Sequence, residues 1–409
     1  MYMRKNYSSF FKPLLIATLL VVLNNALAQP YKKIHNNAIV IDAHDDILSW
    51  TKLSWVKDSG YSIDHDLTGK TNIDLQRMKQ GGLDVQVFSI CCDSNRKHPF
   101  NYAIELLDTL HAWATRNPQK MKLIFTPEDL IQAVNQKKLG AMSGLEGGYM
   151  IENDLNNLDS LFKRGVRYMG LIHETPLSWA TSDRDEKPNN IPNPNKGLND
   201  FGKRVVRRMN ELGMMTDVSH SGEQTFWDVI NTTTKPIIAS HSSVYSLCPV
   251  SRNLKDDQIK AIGKNGGVIM VCFYPGFLDS RWKVKEHEFD KLHKTEEDSI
   301  LKSNPDEEEF LDHYLYSKYR KELVAIDRTV PISLLIDHID YIVKMIGIDH
   351  VGLGSDFDGM SDYAQGLDGN GVLDFPKITK ALLDRGYSKK DVNKILGENF
   401  TRVFKANMQ

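Results

Sequence analysis

The stretch Ala38-Ile39-Val40-Ile41-Asp42-Ala43-His44-Asp45-Asp46 is a short apolar run that ends abruptly in side chains able to hold a metal. A continuous run of this length, rich in β-branched residues, reads as a strand covered on both faces. The pattern recurs. Comparable runs occupy residues 85–91, 140–145, 168–172, 214–218, 236–240, 267–273 and 350–354. Stretches with helical spacing lie between them. In residues 199–212, for example, Phe201, Val205, Val206 and Met209 recur at the helical period. Eight strands alternating with helices predict a parallel α/β fold, and a closed (β/α)8 TIM barrel is the simplest eight-membered form.

In such a barrel the reactive side chains gather where the strands end. Six of the eight runs end in candidates. Residues 38–43 lead into His44 and Asp46, 140–145 into Glu146, 168–172 into His173, 214–218 into His220, 236–240 into His241, and 350–354 into Asp356 and Asp358. Each has an ordinary reading when taken singly. His-x-Asp is a weak motif, Glu146 could cap a turn, and a lone histidine is usually a satisfied core or surface residue. Six coincidences at strand ends are a different matter in a chain with only 13 histidines.

Residues two apart on a strand face the same side, so His44 and Asp46 can grip one ion while Asp45 points away. Imidazole nitrogen and carboxylate oxygen suit zinc. Glu146 sits in Gly144-Leu145-Glu146-Gly147-Gly148, where glycines allow the backbone to approach a ligand, and its two oxygens can bridge two cations. His220 and His241 are close enough in sequence to end adjacent strands and hold the second ion. Two ions about 3.5–4 Å apart can activate a shared water for attack on an amide carbon and polarise its carbonyl. No Gly-x-Ser-x-Gly nucleophile elbow competes with this chemistry. Arg252 offers paired donors for a free carboxylate. His173 is a candidate donor to a developing oxyanion. Asp356, with Asp358 as a second candidate, is placed to carry a proton from water to the leaving amine.

The ends and the composition limit the class. Lys and Arg total 51 against 53 Asp and Glu, a net charge of -2, which argues against nucleic acid as a partner. Arg4 and Lys5, an apolar run over 14–23 and Ala26-Leu27-Ala28 together predict a secretory leader, residues 1–28, cleaved after Ala28. The apolar run is shorter than the ~20 residues a spanning helix needs. The expected product is an exported protein, periplasmic or secreted, with residues 29–409 as one barrel domain and no stable membrane anchor. Cys91, Cys92, Cys248 and Cys272 have no C-x-x-C spacing and read as buried thiols. Residues 279–328 are dense in Lys, Glu and Asp, and predict a charged helical excursion before the last strand.

Taken together, Ile41-Asp42-Ala43-His44-Asp45-Asp46, Gly144-Leu145-Glu146-Gly147, Asp217-Val218-Ser219-His220, Ser240-His241-Ser242-Ser243, Arg252-Asn253 and Gly354-Ser355-Asp356-Phe357-Asp358-Gly359 resemble the membrane (renal) dipeptidase family of zinc metallopeptidases. The motifs run in family order from about Val40 to Gly397-Glu398-Asn399-Phe400-Thr401-Arg402-Val403. The resemblance implies an amidohydrolase-type barrel with two zinc ions per chain. They would be bound by His44, Asp46, a bridging Glu146, His220 and His241, with His173, Arg252 and Asp356 touching substrate. It implies hydrolysis of small dipeptides, often with a D-residue at the C-terminal side, and leaves room for a homodimer. After His173 the chain reads Glu174-Thr175-Pro176-Leu177-Ser178-Trp179, unlike the family's Cys-Asn turn, which bears on specificity. Two other classes compete with this one. A deaminase or esterase-like barrel enzyme would use one ion or a carboxylated lysine bridge. A silent binding protein would be expected to have lost ligands.

Overall fold

A computed structural model of the chain describes residues 30–51, 61–92, 96–187, 196–303, 318, 319, 321, 322, 325, 326, 330–359 and 370–409. Its strands are β1 (Ile41–Asp45), β2 (Val85–Ile90), β3 (Met121–Leu123), β4 (Leu139–Glu146), β5 (Val166–Gly170), β6 (Met215–Asp217), β7 (Ile238–Ala239), β8 (Val268–Val271) and β9 (Val351–Leu353). All pairings are parallel, in the order β1-β2-β4-β5-β6-β7-β8-β9, with β3 hanging from the start of β4 alone. The ring closes just past the strand ends. Asp46 N donates to Phe357 O at 2.9 Å, and Asp356 N donates to His44 O at 3.2 Å. This is the predicted (β/α)8 barrel, and each of the eight predicted runs overlaps one barrel strand. The addition is β3, three residues with no partner beyond β4.

Two apolar layers hold the barrel. Inside it, Ile41, Ala43, Val85, Val87, Met142, Tyr168, Met215, Ile238, Val268 and Met270 pack together. Phe400, Val403 and Phe404 of the helix Asn399–Met408 join that same cluster and fill its floor. Asn399 fixes this helix by donating from Nδ2 to Ile348 O and Val351 O, beside the start of β9. The outer layer packs the other strand faces against the surrounding helices, among them Asp200–Leu212, which Asn199 caps by accepting from Phe201 N and Gly202 N. All four cysteines are thiols, Cys91 half-buried and the others buried.

The charged excursion begins as predicted with a helix, Ser280–Ser303. Phe289 on this helix packs with Trp50, whose indole Nε1 donates to Asp358 O at 2.7 Å. Much of the remainder of 279–328 lies outside the described residues, as does the predicted leader 1–28. Among the described residues no helix is long and apolar enough to cross a membrane.

Phe404 is fully buried in the floor, so Phe404→Ala is expected to cost ~3–5 kcal/mol of stability through lost burial and a residual cavity. Chemical denaturation measures it, and a midpoint equal to the parent's would show that the floor does not depend on this ring.

Candidate metal centre

The donors converge at the C-terminal mouth of the barrel. Glu146 is the last residue of β4, and its two oxygens face different neighbours. Oε2 lies 3.3 Å from His44 Nε2, while Oε1 lies 2.9 Å from His220 Nε2 and 3.4 Å from His241 Nε2. The last two nitrogens are 3.0 Å apart. Asp46 Oδ2 reaches His44 Nε2 at 3.2 Å, and Asp356 Oδ1 lies 4.0 Å from the same nitrogen. His173 stands at the rim with Nε2 3.9 Å from Glu146 Oε1. Arg252 is half-buried over Phe277, with long contacts of 3.5 Å to Ser242 Oγ and His241 O. The eight residues singled out for metal, catalysis and substrate therefore all meet at one mouth.

The structure departs from the sequence pattern at three points. Asp46 does not share a strand face with His44. β1 stops at Asp45, its register against β2 shifts between Asp42 and Asp45, and Asp46 begins the turn into the short helix Ile47–Trp50. The bulge and the turn, not simple alternation, bring the two side chains together. Asp45 does point elsewhere, accepting from Ile47 N at 2.9 Å. Asp358 is not in the cluster: Asn72 N and Nδ2 donate to its Oδ1 at 2.8 and 3.1 Å, so it anchors a loop. The glycines around Glu146 serve packing. A Cβ on Gly144 would lie 2.1 Å from the Tyr168 ring, and Gly147, at φ 106°, makes room for Tyr149.

Of the seven non-glycine residues with left-handed backbone among the described residues, three lie at this mouth: His220 at φ 65°, Asp356 at 63° and Asp358 at 61°. Such conformations persist only where surrounding bonds hold them, and they gather at functional sites.

Burial disfavours charge on every group here. His220 and His241 respond accordingly. Burial, reinforced by the charges of Arg252 and His44 respectively, holds both far below the ordinary imidazole range. Neutral imidazole is the form that binds metal. Burial works against Glu146 too, but the charges of His44 and His173 and a hydrogen bond from His220 bring its carboxyl far below the usual range. For His44, burial opposes the charge, yet Tyr168, Glu146 and Asp46 outweigh it and raise its pKa well above normal. Asp356 is pushed up to about 8, first by burial, with the Asp46 and Glu146 carboxylates adding to it against His44.

A divalent cation fits this set. The donors are imidazole nitrogens and carboxylate oxygens, which zinc accepts. His44 Nε2 and Asp46 Oδ1 are buried and make no hydrogen bond among the described residues. His44 Nε2 nonetheless has carboxylate oxygens of Asp46, Glu146 and Asp356 within 4.0 Å. The raised pKa of this ring records a demand for positive charge that a metal ion meets equally well. Two compact donor groups, His44–Glu146–His241 and His44–Asp46–Asp356, lie within the cluster.

Several contributing residues were not singled out from the sequence. Tyr168 Oη lies 2.8 Å from His44 Nδ1. Ser240 Oγ lies 2.8 Å from His241 Nδ1 and donates to Asp217 at 2.5 Å. Ser355 makes the same bond to Asp42, also at 2.5 Å. Cys272 Sγ donates to Asp356 Oδ2 at 3.5 Å, and Cys91 joins Glu146 and His173 in a third donor group. A signal was present: an Asp stands two or three residues before His44 and His220, and a Ser immediately before His241 and Asp356.

A parallel barrel with a buried His–carboxylate cluster at its strand ends defines a metal-dependent hydrolase. Comparison with known proteins agrees. The chain belongs to the membrane dipeptidase family, peptidase family M19, a family of metal-dependent peptidases whose model matches residues 28–409. It is 28% identical over 391 residues to dipeptidase aclJ of Aspergillus oryzae, covering 91% of this chain and 79% of that one. Its fold is similar to the probable dipeptidase PvdM from Pseudomonas aeruginosa, with TM-score 0.73, 25% identity, and 92% and 97% of the two chains covered. It is also similar to a metallopeptidase from Rhodobacter sphaeroides liganded with a phosphinate mimic of L-Ala-D-Ala, with TM-score 0.70, 22% identity and coverage of 91% and 100%.

Linkage sets the size of a first test. Divalent metal at about a thousand times its Kd is expected to stabilise the fold by ~4 kcal/mol, reversibly on chelation. A melting temperature indifferent to metal and chelator would remove the metal from the site.

Proposed function

We propose that this protein is a zinc-dependent dipeptidase holding two ions per chain. His44 and Asp46 bind one, His220 and His241 the other, and Glu146 bridges them. The observation that carries this reading is the division of Glu146, one oxygen toward His44 and the other toward the His220–His241 pair. When bound, the two ions would supply an activated water and polarise the scissile carbonyl. The chain's own groups complete the site. Arg252, weakly engaged by its neighbours, presents paired donors to the free carboxylate of a dipeptide. His173, at the half-open rim, donates to the oxyanion as it forms. Asp356 accepts a proton on Oδ1 and returns it to the leaving amine nitrogen. A carboxylate clamp beside the cluster suits a D- or an L-residue at the C-terminal side. The predicted leader supports export of the mature chain.

The decisive assay is release of amino acids from a panel of dipeptides of both chiralities, with metal and with chelator. Metal-loaded protein that cleaves none of them would end the dipeptidase reading. Arg252→Ala is expected to lower kcat/KM on free dipeptides by ~10–150-fold, equivalent to ~1.5–3 kcal/mol for a charged hydrogen-bond partner, and to affect dipeptide amides little. Equal losses on both substrate types would remove the clamp role. Glu146→Gln is expected to lose turnover together with part of its zinc, whereas full zinc content and full rate would rule out the bridge.

A further inference from the structure

An imidazole that offers Nε2 to a metal must carry its proton on Nδ1, and whatever Nδ1 bonds to decides whether it does. Two of the three ligand histidines have that decision made for them by hydroxyl groups. A hydroxyl has one hydrogen to give. Tyr168 Oη gives its hydrogen to Ala43 O at 3.0 Å, since a carbonyl can only accept. Its contact with His44 Nδ1 at 2.8 Å must then be a bond that His44 donates. Ser240 Oγ gives its hydrogen to Asp217 Oδ2 at 2.5 Å. Asp217 Oδ1 already accepts Ser219 N at 3.0 Å and Ser240 N at 2.8 Å, as an ionised carboxylate does. So His241 must donate from Nδ1 to Ser240 Oγ. In the neutral form that binds metal, both rings then keep Nε2 bare toward Glu146. His220 differs: its Nδ1 is buried without a hydrogen bond among the described residues.

We propose that Tyr168 and the Asp217–Ser240 pair are positioning residues that select the metal-binding tautomers of His44 and His241, each governing ion retention in its own half of the centre. The inference rests on the binuclear reading above. The fold supplies its own control. Asp42 grips Ser355 just as Asp217 grips Ser240, through Ser355 N at 2.7 Å and Oγ at 2.5 Å, but the residue that follows is Asp356, not an imidazole.

The test uses the full-length mature protein and zinc alone. Bound ions are counted after gel filtration, and each affinity is measured by competition with a chromophoric chelator. The parent is expected to retain two ions. Tyr168→Phe keeps the ring that packs against Gly144 and removes only the hydroxyl. It should weaken one ion by 10–100-fold, the size typical for such outer partners, and leave the other near parent affinity. Ser240→Ala should do the same, and the two changes combined should weaken both ions. Ser240→Thr retains the hydroxyl and should retain both ions, as should Ser355→Ala. A parent that binds fewer than two ions would sink the binuclear reading and this inference with it. A parent with two ions, matched by Tyr168→Phe and Ser240→Ala, would overturn the tautomer assignment alone. So would equal loss in Ser355→Ala or in Ser240→Thr, because packing rather than proton placement would then be the cause.

Discussion

A carboxylate buried at the end of a barrel strand stays ionised only if positive charge and hydrogen-bond donors reach it from several directions. Glu146 is in that position, and much of the molecule answers to it. His44 comes from β1, His220 from the loop after β6, His241 from the loop after β7, and Ser89 of β2 donates to Oε2 at 3.2 Å. These strands can present their ends to one point only because the sheet closes on itself. The apolar interior and the floor helix therefore serve the centre as much as they serve stability. The same demand reaches down to Gly144, where a hydrogen in place of a side chain lets Tyr168 stand under His44.

The fold was legible because parallel strands covered on both sides must be apolar along their length, and eight such runs are hard to mistake. β3 escaped notice because three residues pairing only with the start of β4 leave little pattern. Most of the centre was legible for a related reason. In this architecture chemistry sits where strands stop, so a polar residue just beyond an apolar run carries positional meaning. The unread parts lie in backbone geometry and in the second layer of contacts. No spacing rule announces a bulge in β1 or a left-handed histidine at position 220. The glycines beside Glu146 looked like ligand-facing glycines because their neighbours in space, Tyr168 and Tyr149, lie on other parts of the chain. Asp217 and Ser240 stand inside recognised motifs, yet their task appears only when hydrogen bonds are counted donor by donor.

The left-handed residues also explain how rigid this mouth is. A conformation that costs about 1–3 kcal/mol at each non-glycine position needs bonds that over-determine it. Asp358 has Asn72 and Trp50 on either side. Asp356 follows Ser355, which is clamped by Asp42. His220 carries a backbone carbonyl that accepts from Asp183 N, and Asp183 in turn accepts from Ser251 at 2.5 Å, next to Arg252. The His220 loop and the Arg252 loop are thus tied through one aspartate, so displacement of either is felt by the other.

The floor of the barrel is finished by Phe400, Val403 and Phe404, which lie more than 350 residues after the start of β1. On a ribosome, the first strands emerge long before the segment that seals their underside. The nascent barrel must therefore wait with an open, greasy base. Until residues 399–408 have emerged the interior cannot be sealed, and a chaperone has that whole interval in which to engage it.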